Sequence, residues 1–202
     1  TKASLRLSPK LMGSSLICAS LDKFETVEII LNFCQQNSYK ICAFEFFSQK
    51  ALDCVLKHNP QLSSPFEKKA QFYFLLELEK QASQSDEEFW TPFFDKLPET
   101  VLSSALVANS EKERHTLWAL RENITESLRA TGFVHKNDIT LPLATLSKFM
   151  IELEKKIIPK LKDHSIELII FGHIGDGNLH LNYLDREKKD EMIFKKTGRE
   201  RE

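Results

Sequence analysis

Two histidines near the C-terminal end of the chain, His173 and His180, could share one metal ion. They lie in the stretch 168–183, where two apolar runs flank Asp176-Gly177. An Asp-Gly pair between alternating runs predicts a β-hairpin. A two-residue turn at Asp176-Gly177 would place the two histidines directly opposite each other, with Cβ atoms roughly 4.5–5.5 Å apart. This spacing allows a metal ion to bridge the imidazoles. A hairpin with two exposed or hydrogen-bonded histidines is the alternative.

Alternation along the hairpin predicts which side chains accompany the histidines. Phe171 and Asn182 should share their face, and the opposite face should belong to the core, with Ile170, Ile174, Leu179, Leu181 and Tyr183. A catalytic zinc ion takes three protein ligands and leaves one position open. Because only two ligands are visible, we expect the third, a carboxylate, to come from elsewhere.

A second polar set could bind an acid. Arg121 and Thr125 are one turn apart on a predicted helix, and a guanidinium presents a planar fork of donors that suits a carboxylate. Lys136 follows within the polar stretch 135–138 of a strand that we expect to be internal. The alternatives are a solvated pair between Arg121 and a neighbouring glutamate, and an edge strand whose charges deter aggregation.

Composition narrows the class of protein. The chain has 202 residues with a formal net charge of -1, so it fits one domain or a piece of a larger enzyme, and its charge does not favour nucleic acid or an anionic membrane surface. No apolar run approaches the roughly 20 residues that a transmembrane helix needs. The four cysteines have no metal-binding spacing, so we interpret them as reduced core residues of a reducing compartment.

Strand and helix patterns alternate along the chain and predict an α+β fold in a single domain, 1–202. After a lead-in, the first half (1–108) shows strands at 16–20, 40–47, 71–79 and 101–108, with helices from 22, 48 and 87. The incomplete second half (109–184) shows a helix at 110–130, a strand at 133–139, a helix from 142 and the hairpin, before a charged tail (185–202). The pattern predicts ferredoxin-like repeats that form an antiparallel sheet covered by helices, with the second repeat truncated.

Several nucleotide and nucleophile motifs are missing from the chain. The spacing of Gly172, Gly175 and Gly177 is not that of the dinucleotide fingerprint, and a strand rather than a helix follows. There is no phosphate-binding loop, serine nucleophile elbow or CxxC motif. The sequence therefore offers no flavin or nicotinamide site of its own.

The hairpin motif resembles the hallmark of the C-terminal, substrate-binding domain of FAD-linked oxidases in the vanillyl-alcohol-oxidase superfamily. Within that superfamily the chain is similar to D-2-hydroxyglutarate dehydrogenases, D-lactate dehydrogenases and glycolate oxidase subunits. The resemblance covers about 5–182, and four blocks carry it: Gly172-His-Ile-Gly-Asp-Gly-Asn-Leu-His180, Cys42-Ala-Phe-Glu-Phe-Phe47, Leu117-Trp-Ala-Leu-Arg-Glu-Asn-Ile-Thr125 and Lys136-Asn-Asp-Ile-Thr-Leu-Pro142.

The resemblance implies roles for the matching residues. His173 and His180 would be the catalytic metal ligands, with zinc as the expected ion. The 2-hydroxy acid substrate would be held by Arg121, Thr125, Lys136 and Asn182. An upstream domain would bind FAD, and a Glu-His pair beyond Glu202 would supply the third ligand and the general base, so we expect the isolated chain to be inactive.

The same resemblance implies a setting for the whole protein. It would be a FAD-dependent dehydrogenase that oxidises a D-2-hydroxy acid and passes electrons to an unknown acceptor. A homodimer is the candidate assembly, and the expected location is the cytoplasm or, in a eukaryote, the mitochondrial matrix. Two other classes remain open: a non-catalytic ferredoxin-like interaction module with a relic site, and a metal-dependent hydrolase that uses the histidine pair alone. Metal analysis of this chain and of one extended past Glu202 separates the dehydrogenase from the interaction module. Zinc in the extended chain only would support the dehydrogenase, and zinc in neither would favour the module.

Overall fold

A computed structural model describes residues 13–162 and 165–187 as one seven-stranded antiparallel sheet with helices on both faces. The strands are β1 (Ser14–Leu21), β2 (Ile41–Ser48), β3 (Phe72–Glu79), β4 (Ser104–Val107), β5 (Phe133–Thr140), β6 (Ile166–His173) and β7 (Asn178–Asp185). The lead-in and most of the predicted tail, at 1–12 and 188–202, lie outside the described residues. The predicted fold class is confirmed.

The strand order is β4-β1-β3-β2-β6-β7-β5. Its first four strands have the 4-1-3-2 order of a ferredoxin-like unit. The last three repeat that arrangement, since β5, β6 and β7 stand in the places of a first, second and third strand. Among the described residues no strand pairs with the outer side of β5, which is the place that a fourth strand of the second repeat would take.

The helices divide between the two faces according to their place in the repeats. Their bounds are α1 (Glu25–Gln36), α2 (Gln49–His58), α3 (Asp86–Lys96), α4 (Glu111–Glu122), α5 (Ile124–Thr131), α6 (Leu146–Glu152) and α7 (Ile158–Lys162), with a π-helical turn (Leu153–Ile157) between the last two. The crossover helices α1, α3 and α6 pack on one face, and α2, α4 and α5 pack on the other.

Both faces of the sheet are buried, so its central strands are apolar on both sides. On β3, Phe72, Phe74, Leu76 and Leu78 point into the core beneath α1 and α3, as the alternation predicts. The neighbouring residues Tyr73 and Leu75 point into the second core, beneath α2 and α4. The four cysteines are free thiols, and burial raises the pKa of Cys34 to about 12.

Two helix predictions are wrong in detail. Helix α1 begins at Glu25 rather than Asp22, and its N-cap residue, Phe24, makes no side-chain capping bond. The predicted helix at 110–130 is divided at Asn123, whose amide Nδ2 donates to the Ala119 carbonyl oxygen at 2.8 Å. An amide that binds the backbone locally competes with the regular helical ladder, which accounts for the break.

Gly132 ends α5 in an extended conformation and not in the left-handed one that is common for a glycine after a helix. Its backbone is extended, with φ -172° and ψ -165°. A Cβ atom at this position would lie 2.2 Å from the Asp185 carbonyl oxygen. Glycine is therefore needed because β7 passes directly against the start of β5, and this close approach fixes the relative position of the two strands.

Candidate functional site

The hairpin formed by β6 and β7 carries the two histidines. Its loop is a 3-10 turn at Ile174–Asp176 followed by Gly177 in the left-handed conformation, with φ 69°. The ladder pairs His180 with Phe171 rather than with His173, so the predicted two-residue turn is wrong. The register differs from the prediction by two residues, and a shift of two leaves every side chain on its predicted face. The imidazoles therefore still meet, with ring centroids 5.4 Å apart and planes at 84°.

His173 is held by a buried carboxylate. Its Nδ1 lies 2.7 Å from Glu45 Oε1, and the two residues are paired across β2 and β6. Glu45 is 6% exposed, although it sits between phenylalanines in an otherwise apolar strand. The His173 side chain itself is 51% exposed, so the ring is anchored on its inner side and open to ligands on its outer side.

His180 is held in the same way by Asp138. The Nδ1 atom of His180 lies 2.5 Å from Asp138 Oδ1, and the two residues are register partners across β5 and β7. This carboxylate is 69% exposed, so, unlike Glu45, it belongs to the surface.

The two carboxylates determine which nitrogen of each imidazole has a lone pair available for a ligand. A carboxylate only accepts hydrogen bonds, so Nδ1 donates in both rings. The Nε2 atom of each neutral ring then carries the free lone pair. Among the described residues, neither Nε2 has a hydrogen-bond partner. Carboxylates bound to the far nitrogen are the usual second partners of histidines that bind zinc.

Arg121 lies at the end of α4 and meets the same group of residues. Its Nε is 2.9 Å from Glu45 Oε2, and its Cζ lies 4.7 Å from the centre of the Phe171 ring. Burial lowers the pKa of the guanidinium from its ordinary value, and the Glu45 carboxylate counteracts this shift. No described residue bonds to the two terminal Nη groups. Arg121 is therefore a buried cation with a fixed orientation, and its two terminal Nη groups have no hydrogen-bond partner among the described residues.

Phe171 connects the guanidinium to the histidine pair. Its ring centroid is 5.0 Å from that of His180, and Arg121 Cζ lies over the same ring. With 4% exposure it belongs to the core. Arg121 and His180 thus both contact Phe171, and His173 contacts His180.

The other predicted site residues lie at the margin of this cluster. Lys136 is exposed on β5, which is an edge strand among the described residues and not the predicted internal one. Its register partner is Asn182, which is 2% exposed and donates from Nδ2 to the His180 carbonyl oxygen at 3.2 Å. Thr125 is half-buried on α5, beyond the break at Asn123. Among the described residues, no hydrogen bond or ion pair joins the side chains of these three to Arg121 or to either imidazole.

Two absences concern the described part of the chain alone. In 13–162 and 165–187, no group of three or more His, Cys, Asp or Glu side chains is arranged to hold a metal ion. None of the helices in the same ranges has the length and apolar character needed to cross a bilayer.

Glu45 and Asp138 are the two site residues that sequence reasoning did not assign. Glu45 had a signal, because a single charge inside an apolar strand needs a buried partner. Asp138 had a weaker one, because it lies two positions from Lys136 and alternation places both on one face of β5. Neither signal names the partner residue, which in each case comes from a distant part of the chain.

Comparisons with known proteins identify the family of the chain. The family described as "FAD linked oxidases, C-terminal domain" matches residues 14–197. A D-2-hydroxyglutarate dehydrogenase of Stutzerimonas stutzeri is 32% identical over 196 residues, which is 96% of this chain and 41% of that protein. A mitochondrial D-2-hydroxyglutarate dehydrogenase of Rattus norvegicus is 35% identical over 162 residues, 76% of this chain and 28% of that protein. The chain thus spans well under half the length of these relatives.

Solved structures support the fold. An alkyldihydroxyacetonephosphate synthase matches with a TM-score of 0.55 at 12% identity, covering 94% of this chain and 38% of that one. At this identity the likeness concerns the fold alone. The match along 14–197, the shared fold and the glycine-histidine hairpin agree with one another, and the chain belongs to the family of FAD-linked oxidase C-terminal domains.

Proposed function

We propose that this chain is the substrate- and metal-binding part of a flavin-dependent dehydrogenase that oxidises a D-2-hydroxy acid to the 2-oxo acid. The observation that carries the proposal is the state of Arg121. It is 8% exposed, yet its terminal donors have no partner among the described residues. A buried guanidinium loses hydration, so an external carboxylate is a natural partner for those donors. The names of the relatives point to the same substrate class.

Arg121 would bind the carboxylate next to the reacting carbon. Its Nε contact with Glu45 and its stacking on Phe171 hold the guanidinium plane in one orientation, so little side-chain freedom is lost when an acid binds. We assign Thr125 and Asn182 to the same acid. Lys136, exposed and without an ion pair in the described residues, would bind a second carboxylate. This assignment favours a dicarboxylate such as 2-hydroxyglutarate over a lactate-like acid.

The histidine pair fits a zinc ion as two of its ligands. Both rings are fixed through Nδ1 by a carboxylate, both Nε2 atoms are unpartnered in the described residues, and the rings are adjacent. The third ligand would come from outside the described residues, since no third donor converges there. A zinc ion bound by the pair would polarise the 2-hydroxyl group of the acid and lower its pKa.

The flavin would be bound by another domain of the whole protein, and we assign none of the described residues to it. FAD supplies the hydride acceptor for the carbon that bears the hydroxyl. The part played by this chain is orientation: Arg121 and Lys136 hold the acid by its ends, so that the reacting carbon keeps one position. A reduced flavin needs an electron acceptor, which is a further partner of the whole protein. The name of the rat relative favours a mitochondrial location if the source is a eukaryote.

The experiment compares Arg121→Ala with Arg129→Ala in the full-length protein. Arg129 is a matched control, because it lies on the next helix in an exposed pair with Glu126. Loss of a charge-assisted contact of about 1.5–3 kcal/mol should lower kcat/KM for D-2-hydroxy acids by about tenfold or more in Arg121→Ala. Arg129→Ala should leave it unchanged. An unchanged kcat/KM in a folded Arg121→Ala protein would exclude the carboxylate role.

A further inference from the structure

Glu45 is a single carboxylate shared by two groups of the candidate site. Its Oε1 accepts a hydrogen bond from His173 Nδ1 at 2.7 Å, and its Oε2 forms an ion pair with Arg121 Nε at 2.9 Å, without hydrogen-bond geometry. The three residues come from β2, β6 and α4, so no local stretch of chain holds them together. An ionised carboxylate that is 6% exposed is costly to bury without partners, and both of its partners here are cationic or donating groups.

We propose that Glu45 is a positioning residue that links acid binding at Arg121 to ligand geometry at His173. This inference rests on the proposed function for what Arg121 and His173 bind, but not for the link itself. Through one side chain, the guanidinium and the imidazole take up a fixed relative position. Loss of Glu45 should therefore disturb both sites together, although Glu45 touches neither ligand.

The geometry gives Glu45 this double role and gives Asp138 a single one. Asp138 bonds to His180, and no ion pair joins it to Arg121. It is also exposed, whereas Glu45 lies beneath the site. Removal of the Asp138 charge should affect His180 alone, so Asp138 serves as the comparison residue within the same cluster.

Glu45→Gln is the informative substitution because it keeps the shape of the side chain. A glutamine carries no charge for the Arg121 guanidinium and offers a single acceptor oxygen to His173 Nδ1. The ion pair with Arg121 is lost, and His173 and Arg121 no longer share one anchor. Their fixed relative position should therefore be lost. Glu45→Asp is the second variant: it keeps the charge, but it is one methylene shorter and cannot reach both donors.

Two binding measurements on the full-length protein separate the predicted effects. The first is zinc affinity, measured by competition with a chromophoric chelator. The second is the affinity of the chelator-treated, metal-free protein for succinate, which has two carboxylates and no hydroxyl group. Glu45→Gln should weaken both, with zinc affinity reduced by about 10–100-fold. Asp138→Asn should weaken zinc binding without weakening succinate binding. Glu126→Gln, the same change on an exposed helical surface, should alter neither.

A third measurement does not depend on any ligand. In ¹⁵N-histidine- and ¹⁵N-arginine-labelled protein, His173 should show the Nδ1-protonated tautomer, and the chemical shift of Arg121 Nε should report the Glu45 carboxylate beside it. Glu45→Gln should change at least one of these signals, and Asp138→Asn should change neither. If wild-type protein binds neither zinc nor succinate, the proposed function fails while the NMR signals still decide the role of Glu45. If folded Glu45→Gln and Glu45→Asp keep both signals, the link is refuted.

Discussion

His173 and His180 lie 5.4 Å apart, from ring centroid to ring centroid, although the sheet pairs His180 with Phe171. Diagonal neighbours of this kind remain within reach of aromatic and long side chains. The offset puts Phe171 beside His180 and leaves His173 paired with Glu45 on the next strand. The histidine pair is therefore connected to Arg121 both through Phe171 of the hairpin and through Glu45 of β2.

The hairpin depends on glycine at position 172. A Cβ atom there would lie 2.2 Å from the Asn178 carbonyl oxygen, which is backbone and cannot move aside, whereas at Gly175 the nearest atom is Phe44 Cβ at 3.3 Å. We expect Gly172→Ala to lower the free energy of unfolding by about 1–3 kcal/mol, the range for overpacking, and to separate the two imidazoles. Gly175→Ala is the control and should lose less. Urea unfolding measures both, and equal losses would contradict the argument.

Lys136 should distinguish dicarboxylates from monocarboxylates. It lies on the outer strand, away from Arg121, and pairs in register with Asn182. In the full-length protein, Lys136→Ala should reduce kcat/KM for D-2-hydroxyglutarate by about tenfold, the equivalent of one lost charged contact. Turnover of D-lactate, which has no second carboxylate, should stay the same. Lys148→Ala, at another exposed lysine, is the control. A loss of equal size with both acids would rule out the second-carboxylate role.

The buried hydroxyl of Ser15 should stabilise the first repeat. It accepts from Trp90 Nε1 at 2.7 Å and donates to Asp86 Oδ1 at 2.5 Å, and it thereby ties α3 to β1. Ser15→Ala leaves the indole N–H, on a side chain that is 1% exposed, without its acceptor. The free energy of unfolding should fall by about 1–3 kcal/mol. Ser64→Ala removes an exposed hydroxyl and should change it by less than about 0.5 kcal/mol. Chemical unfolding of the two variants tests the difference.

Glu88 should make the stability of the protein depend on pH in the acid range. Its carboxylate accepts from the backbone N–H of Ser85 at 2.9 Å in a capping box, and this bond lowers the pKa of Glu88 from its ordinary value of 4.5. Because the folded state binds this proton more weakly than the unfolded chain does, the stabilisation is present above 4.5 and is lost as the pH falls through the lowered pKa.

The measurement is the free energy of unfolding between neutral and acidic pH for Glu88→Gln and for Glu87→Gln. Both remove one charge from the first turn of α3, but only Glu88 accepts the capping bond. Glu88→Gln should destabilise the protein at neutral pH, and its curve should converge on that of the wild type at low pH. The Glu87→Gln curve should stay parallel to that of the wild type at the pH values where the Glu88 curve converges. If the Glu88→Gln and Glu87→Gln curves have the same shape, the capping bond does not contribute to stability.

Much of the fold followed from local patterns. Alternation with a period of two correctly predicted the two faces of the hairpin, and the order of strands and helices predicted ferredoxin-like repeats. The boundaries were less accurate at Asp22 and Asn123, where local hydrogen bonding and capping differ from what residue type alone indicates. The predicted register of the hairpin was wrong by two residues. Each side chain nevertheless lies on its predicted face, because a shift by an even number of residues does not exchange the faces.

The candidate site, too, was predicted in part from local patterns and in part decided by the tertiary structure. By itself, the sequence determined that His173, His180 and Arg121 are candidates and that the two histidines share a face, because motif and alternation are properties of short stretches. Only the tertiary structure decided that Glu45 joins Arg121 to His173, that Asp138 holds His180, and that Lys136 lies on the outermost strand of the described sheet. Glu45 and His173 are 128 positions apart. Contacts across such distances arise from strand order and helix packing, which no local pattern of side chains encodes.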